Sequence, residues 1–500
     1  MLLLSVLLVL LVLLGGGALR RRRRRLARLL RLSRRLHCGP RAYPLVGHAH
    51  LFLGNGVRRM QMFQMFGREA IKNGGMTGLW LGSNYYVVDP LDIEVILKTA
   101  LEKDNIVRFL KTLVGNGSLF APVSIWQKRR KIVASIFRPK NVNSFVEIFA
   151  RLSALMVEQM GARGAGRGAV SMWDYLSKYA LDSVCETTLD VKLNALQNSD
   201  SPFLKSLGVC CNMLAARLVQ PWLYPDSVYT KLPHYSHFVK HRDVIHNFVD
   251  KAIKSKREEI RDNVGTSDTK SFLELLMRKG FFDQELHEET IVLVIAGTDT
   301  SATGVAFTSL MLSRHPEIQH KVYQELQEVL GESSDAVSLA QLPRLKYLEA
   351  VVRETLRLFP PVPVVVRTLD KDITLPSGVC LVEGCGVMVN VWATQRHPAY
   401  WGPDADRFRP ERFIDTPLKH PCAFLAFSHG PRACIGYHYA ILSMMTVLAT
   451  LLRSYELRSA DDKCDKHVNV AFDVMMKDAD GYKVKLQKRN KVDDSATVYE

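Results

Sequence analysis

Nine cysteines are spread over 500 residues with no repeated metal-ligand spacing, and their odd number excludes a complete disulfide framework. Cys210 and Cys211 are adjacent and poor partners for each other, and Cys380 and Cys385 do not form a zinc knuckle. With Cys38, Cys185, Cys422 and Cys464 they read as reduced, mostly structural thiols of a cytosol-facing domain. Acids are also short: 50 Asp and Glu stand against 67 Lys and Arg, a formal charge of +17. Ten of those arginines lie between Arg20 and Arg35, and without them the charge falls to +7. No nucleic-acid motif accompanies this local block, so a nucleic-acid partner is excluded. There is no internal repeat and no low-complexity break in the middle of the chain. With 47% apolar residues, one large catalytic domain is expected.

The N-terminus departs from this composition. Met1 to Leu14 is almost unbroken leucine and valine, followed by Gly15 to Leu19 and then the arginines. Nineteen uncharged residues rise about 28 Å as a helix, close to the ~30 Å hydrocarbon core of a bilayer. The arginines after the apolar run should stay cytosolic, which describes a signal anchor for the endoplasmic reticulum membrane with a cytosol-facing catalytic domain. A cleaved secretory signal would carry its basic region first, and a mitochondrial presequence would not open on fourteen apolar residues. Pro40, Pro44, Gly39 and Gly47 then forbid a continuous helix. The expected organisation is an anchor at 1–19, a basic segment and proline-rich hinge at 20–47, and a catalytic domain at 48–500.

Further along, Thr77 to Gly82 and Asn84 to Asp89 read as a hairpin, and Pro90 to Leu97 as a helix with proline in its first turn. From about residue 145 the chain is mostly amphipathic helix. Residues 200–235, with Pro221, Pro225 and Pro233, suit mobile helices and loops that roof a pocket.

One stretch organises the rest. Phe427-Ser-His-Gly430-Pro-Arg432-Ala-Cys434-Ile-Gly436 brings an aromatic, a turn, a cation and a sulfur together ahead of the apolar helical run Ala440 to Ala449. Its glycines let the backbone bend close to a flat cofactor, and peptide N–H groups at a helix start favour thiolate over thiol. At Phe427, Gly430, Arg432, Cys434 and Gly436 the chain resembles the cytochromes P450, a family of haem-thiolate monooxygenases.

Other segments occur in that family's order. Trp126 and Arg130 share a helix face, and both are donors able to reach haem propionates; Lys128, Arg129 and Lys131 read as a solvated basic face. Ile291 to Ala302 is an apolar helix interrupted by Gly297, Thr298, Asp299 and Thr300, where a glycine and hydroxyls weaken the ladder and make room for dioxygen and water. Glu354 and Arg357, weak alone as an i,i+3 pair, gain weight from Phe408-Arg-Pro-Glu-Arg412-Phe413.

The resemblance covers roughly residues 40 to 490. It implies a mainly α fold with small β-sheets, a triangular helical domain enclosing haem b behind the N-terminal membrane anchor. It implies Cys434 as the iron ligand, Phe427 and Gly436 beside the sulfur, and Trp126, Arg130, Arg367 and Arg432 as cofactor-binding residues. Asp299 and Thr300 are the implied proton-handling catalytic residues. Glu354, Arg357 and Arg412 form a buried network beneath the cysteine loop. Electrons come from NADPH-cytochrome P450 reductase docked on Lys128, Arg129 and Lys131, with cytochrome b5 admitted as a second donor.

Asp182, Cys185 and Glu186 fall near the pattern of the fatty-acid ω-hydroxylases and their insect relatives, with Cys185 read as core packing. Many of those hydroxylases carry a glutamate, ester-linked to a haem methyl, where this chain has Ala296; the expectation is therefore non-covalent haem, and strict terminal hydroxylation is put in doubt. Pocket segments at Phe109 to Phe120, 205–225, Ile295 and Ala296, Val362 to Val366 and Ala471 to Val474 are predominantly apolar. The expected substrate is a fatty acyl compound, terpenoid, pheromone-like lipid or foreign lipophile. Two other classes stay open: an NADPH-independent isomerase or dehydratase acting on a peroxide, and a non-catalytic haem or lipid carrier. Neither needs the relay pattern at Asp299 and Thr300.

Overall fold

The computed structural model describes residues 40, 42–43, 46–81, 84–163, 168–198, 200–262, 271–331, 335–460 and 468–489. The expected anchor at 1–19, the arginine block, Cys38, Cys464 and several residues of the 38–47 hinge lie outside them.

Eleven helices frame the site: α1 (Gly56–Lys72), α2 (Pro90–Thr99), α3 (Arg108–Val114), α4 (Val123–Ile136), α5 (Val146–Arg163), α6 (Met172–Val184), α7 (Pro202–Val219), α8 (Pro233–Arg261), α9 (Asp283–Arg314), α10 (Lys346–Leu358) and α11 (Tyr437–Ser454). Their starts follow local chemistry. The Asp89 side chain accepts from the Leu91 N–H (2.8 Å) with Pro90 opening α2, and Asn55 accepts from the Arg58 N–H (3.1 Å) at α1.

The central helix α9 runs 32 residues, about 48 Å, with Asp283 and Glu285 in its first turn and Pro316 beyond its end. It is buried almost all round from Leu286 to Ser313, as a helix through the middle of a large core must be. α7 and α9 are long and apolar enough to cross a membrane, yet 72% of the most apolar window of α9 is buried inside the protein. Two glycines make that packing possible. A Cβ on Gly297 would stand 2.9 Å from Cγ2 of Val184 on α6, and one on Gly304 would stand 2.7 Å from Sδ of Met444 on α11.

Small sheets flank the helices. β1 (Met76–Gly78), β2 (Asn84–Val87), β3 (Val364–Thr368) and β4 (Gly386–Asn390) form one sheet in the order β1-β2-β4-β3, with β2 and β4 parallel and the other pairs antiparallel. The expected hairpin is the β1–β2 pair, with Thr77 opposite Tyr86. β5 (Val470–Asp473) and β6 (Met475–Asp478) form a hairpin whose tip residue, Val474, has φ +64°, uncommon for a β-branched residue.

One side chain links the 200–235 segment to α3. The Arg217 guanidinium on α7 lies 4.2 Å from the Phe109 ring of α3 and 3.7 Å from the Tyr229 ring, and it pairs with Asp226 at 2.5 Å. Cys185 is core, as expected. Asp182 accepts from the N–H groups of Ala195 (2.8 Å) and Leu196 (2.9 Å), and Glu186 pairs with Arg151.

Candidate active site

The cysteine loop folds back on itself before α11 begins. The Cys434 N–H donates to the Phe427 carbonyl (2.8 Å), and the Ala433 N–H donates to that of Gly430 (2.9 Å). Ser428 and Gly430 have φ of +62° and +75°. Any Cβ on Gly430 would meet the Leu97 carbonyl oxygen of α2 at 2.6 Å, so glycine is required there by both conformation and space. The Phe427 ring meets Tyr437 edge-on at 4.7 Å. Burial pushes the Cys434 thiol up, while the Gly436 N–H and the Arg130 charge pull it down. These last two are the features that favour a thiolate once an ion is bound.

Cys434 opens on a cavity of about 380 Å³. Of the residues expected from the sequence, Trp126, Arg130, Thr300, Phe427, Arg432 and Gly436 line it with Cys434. Asp299 and Arg367 do not. Arg367 is buried beside the cavity wall, where Nη1 donates to the Val366 carbonyl (2.9 Å) and Nε has no partner. Asp299 forms an ion pair with Lys477 of β6, whose ammonium sits 3.6 Å from the Trp173 ring. Thr300, one residue on, faces the cavity and donates from its hydroxyl to the Ala296 carbonyl (2.6 Å). Ile295 and Phe109 also fall outside the lining, whereas Phe120, Ala296, Val364 and Val474 are within it.

The cations identify what the cavity is built to hold. Arg432 spans the Leu101 (3.1 Å) and Ala121 (2.8 Å) carbonyls and lies 4.1 Å from the Trp126 ring; Arg130 donates to the Ala433 carbonyl at 2.8 Å. Lys103, which no motif marks, lines the same cavity. Burial, with the repulsion of Arg367 and Arg432, holds the Lys103 ammonium well below its ordinary range. Burial likewise pulls Arg367 and Arg432 down to about 10 each. Among the described residues none of Lys103, Arg130, Arg367 or Arg432 has a carboxylate ion pair. Gathering uncompensated cations around an apolar cavity is costly, and the arrangement fits a flat apolar group carrying two acidic substituents, as haem does. The thiol, the apolar walls and the cations all match that group.

Beneath the loop, Glu354 and Arg357 of α10 are fully buried, with contacts of 2.7 and 2.8 Å. Arg412 Nε lies 3.5 Å from Glu354 Oε1, and the Arg409 N–H donates to the same oxygen at 2.8 Å. Arg357 also donates to the carbonyls of Gln395 (2.8 Å) and Ala405 (2.6 Å). Gln395 in turn accepts from the Leu425 N–H (2.7 Å), two residues before Phe427, and so ties the network to the loop. No local pattern in the sequence singled out Gln395.

One expectation is overturned. Arg129 is not part of a solvated basic face: it is buried and pairs with Glu288 (2.9 Å) and Glu289 (3.3 Å) of α9. Three residues after Trp126, it turns to the same inward side of α4, while Lys128 and Lys131 stay exposed.

Comparison with known proteins agrees with this geometry. The family model Cytochrome P450 matches residues 38–486. Cytochrome P450 4d2 of Drosophila melanogaster is 30% identical over 476 residues, covering 90% of this chain and 93% of its own length. Cytochrome P450 4V2 of Mus musculus is 30% identical, covering 93% and 92% respectively. Probable cytochrome P450 4d21 of Drosophila melanogaster is 32% identical, covering 84% and 87%. With a match over nearly its whole length and one cavity that joins a thiol to the cations a haem requires, the chain belongs to the cytochrome P450 family and is a haem-thiolate monooxygenase.

Proposed function

We propose that this monooxygenase hydroxylates a lipophilic substrate (a fatty acyl compound, terpenoid, pheromone-like lipid or foreign compound) using electrons from NADPH through NADPH-cytochrome P450 reductase. The observation that carries the reading is that Cys434 and Thr300 share one predominantly apolar cavity. Haem held by Cys434 supplies oxygen activation, to which a thiolate ligand contributes by favouring O–O cleavage. The apolar walls from Phe120, Val364, Val366 and Val474 bind the substrate and exclude water. Thr300 turns its hydroxyl from the Ala296 carbonyl toward the cavity, and Asp299, exchanging Lys477 for water, passes protons to it. Trp126, Arg130, Lys103 and Arg432, which line the cavity, hold the propionates, with the Arg367 charge behind the wall adding to their attraction and Phe427 and Gly436 on the sulfur side.

Isotopically labelled dioxygen, NADPH and reductase with a panel of fatty acyl lipids, terpenoids and insecticide-like compounds test the reading by mass spectrometry. Label in a hydroxylated product supports it. Product formed from a peroxide without NADPH would instead establish the isomerase or dehydratase alternative.

Because Ala296 puts a methyl where an ester-forming carboxylate would be needed, the cofactor is non-covalent haem b. Acid–organic extraction is expected to remove all haem from the polypeptide, and retained haem would refute this. The catalytic domain faces the cytosol from the endoplasmic reticulum membrane, with cytochrome b5 as an additional donor. The reductase docks where Lys128 and Lys131 are exposed on α4. Raising salt from ~0.05 to ~0.5 M should slow reduction several-fold by screening this encounter. A salt-independent rate would contradict the docking surface.

A further inference from the structure

Two histidines that no motif marks link three helices around the cavity. The rings of His246 on α8 and His287 on α9 stack with their centroids 5.0 Å apart. His246 Nε2 lies 2.8 Å from the Leu113 carbonyl at the end of α3, and His246 Nδ1 lies 3.0 Å from His287 Nε2. His287 Nδ1 in turn lies 2.7 Å from a carboxylate oxygen of Asp250 on α8. A carbonyl at one end and a carboxylate at the other both accept, which fixes the protons between them. His246 donates to Leu113 from Nε2, so its Nδ1 carries no proton and accepts from His287. The chain is complete with one positive charge, on His287 beside Asp250, and has no place for a second. It runs from exposed Asp250 through two half-buried rings to buried Leu113. Leu113 stands three residues after Leu110 on one face of α3, and Val107 and Leu110 line the cavity.

We propose that His246 is a positioning residue for substrate binding: it caps α3 and, through His287, holds that wall of the cavity against α9 in a clasp that a second proton opens. Helix α3 ends on carbonyls without intrahelical partners, and the His246 ring satisfies one of them. A proton on Nδ1 turns the acceptor into a donor facing the His287 N–H and sets two imidazolium rings against each other. Relief separates α8 from α9, so His246 gives up either His287 or Leu113. Burial and the His287 charge hold the His246 imidazole below its ordinary range; Arg242 of α8 adds to this, and the Leu113 carbonyl and Asp250 oppose it. Other charges on the surrounding helices have their own partners: Arg242 has Asp243 (2.7 Å), Arg257 has Asp283, and Glu285 (3.4 Å) and Glu288 (2.9 Å) share Arg129. Lys111 of α3 reaches Asn116 Oδ1 (3.4 Å), and burial pushes the Cys210 thiol of α7 up to about 12. Because folding depresses the His246 value, the contribution of the clasp is present above the ordinary imidazole value of about 6.5 and is lost as pH falls through the folded one. It depends neither on turnover nor on which lipophile is oxidised.

The test titrates the haem-loaded full chain with a long-chain alkyl methyl ether, which carries no titratable group, and follows haem absorbance at about pH 7.5 and about pH 5.5. Wild-type affinity should fall about fivefold in acid, the value of one ordinary hydrogen bond. His246→Gln keeps an amide donor and acceptor but takes up no proton, so its affinity should change less than about twofold. His287→Gln removes the opposing charge and can turn its amide oxygen toward a protonated His246, so its acid loss should shrink likewise. Exchange of the histidine ring Cε1–H, followed by mass spectrometry, reads the His246 titration without any ligand. Its midpoint should lie below about 6.5 in the wild type and rise in His287→Gln. An acid loss in His246→Gln as large as in the wild type overturns the clasp, as does a wild-type affinity that ignores pH. A His246 midpoint at or above the ordinary value also overturns it, and that measurement stands even if neither variant loads haem.

Discussion

Arg357→Leu is expected to destabilise the protein by about 3–5 kcal/mol, a large share of the ~5–15 kcal/mol that holds a domain together. The substitution keeps the volume approximately but strands the fully buried Glu354 carboxylate and removes donors from the Gln395 and Ala405 carbonyls. Gln395 carries the disturbance to Leu425 and hence to the cysteine loop, so haem should dissociate before the helices unfold. A urea titration read at the haem band and by far-ultraviolet circular dichroism checks both parts. The haem transition should move to lower urea than the helical one. Glu354→Leu with Arg357→Leu should cost less than the sum of the two single changes, because no charge is left alone. Full additivity would mean that the pair acts only as two separate packing residues.

Thr300→Val is expected to lower product formation about 100-fold while leaving haem content and substrate binding near wild type, the loss typical of one positioned proton donor. Valine retains the branched shape and removes only the hydroxyl, which in the resting geometry bonds to Ala296. NADPH and oxygen consumption should continue, with the missing product replaced by hydrogen peroxide. Thr300→Ser should restore most of the coupling. If valine forms product as fast as threonine, the hydroxyl is a helix-local bond and protons arrive by another route. Asp299→Asn separates the two residues' roles: it should slow product formation and change the solvent isotope effect without admitting more peroxide than Thr300→Val does.

The cysteine loop was readable because its chemistry is local. Cys434, Phe427, Gly430 and Arg432 lie within eight residues, and the backbone closes on itself through the Cys434 N–H and the Phe427 carbonyl. Trp126 and Arg130 were readable for the same reason, one helical turn apart and both inward. Arg129 was misread between them: its inward side is visible in the helical phase, but its partners, Glu288 and Glu289, come from 159 and 160 residues away. Lys103 carries no motif and acquires its role only from the burial and the neighbouring charges that shift it. Asp299 and Thr300 are consecutive, yet about 100° apart around the helix. One therefore faces the cavity and the other faces Lys477, 178 residues on.

The sequence alone pointed to the family, to Cys434 and Thr300 as residues of one site, and to the Glu354–Arg357 pair under the loop. Each depends on residue type at short, fixed spacing along one element. Only the tertiary structure decided which charges gather at the cavity without a carboxylate ion pair among the described residues, Lys103, Arg130, Arg367 and Arg432, and that Gln395 links the Glu354–Arg357 pair to the cysteine loop. Burial and long-range approach set those energies, and neither is a property of any local stretch of chain.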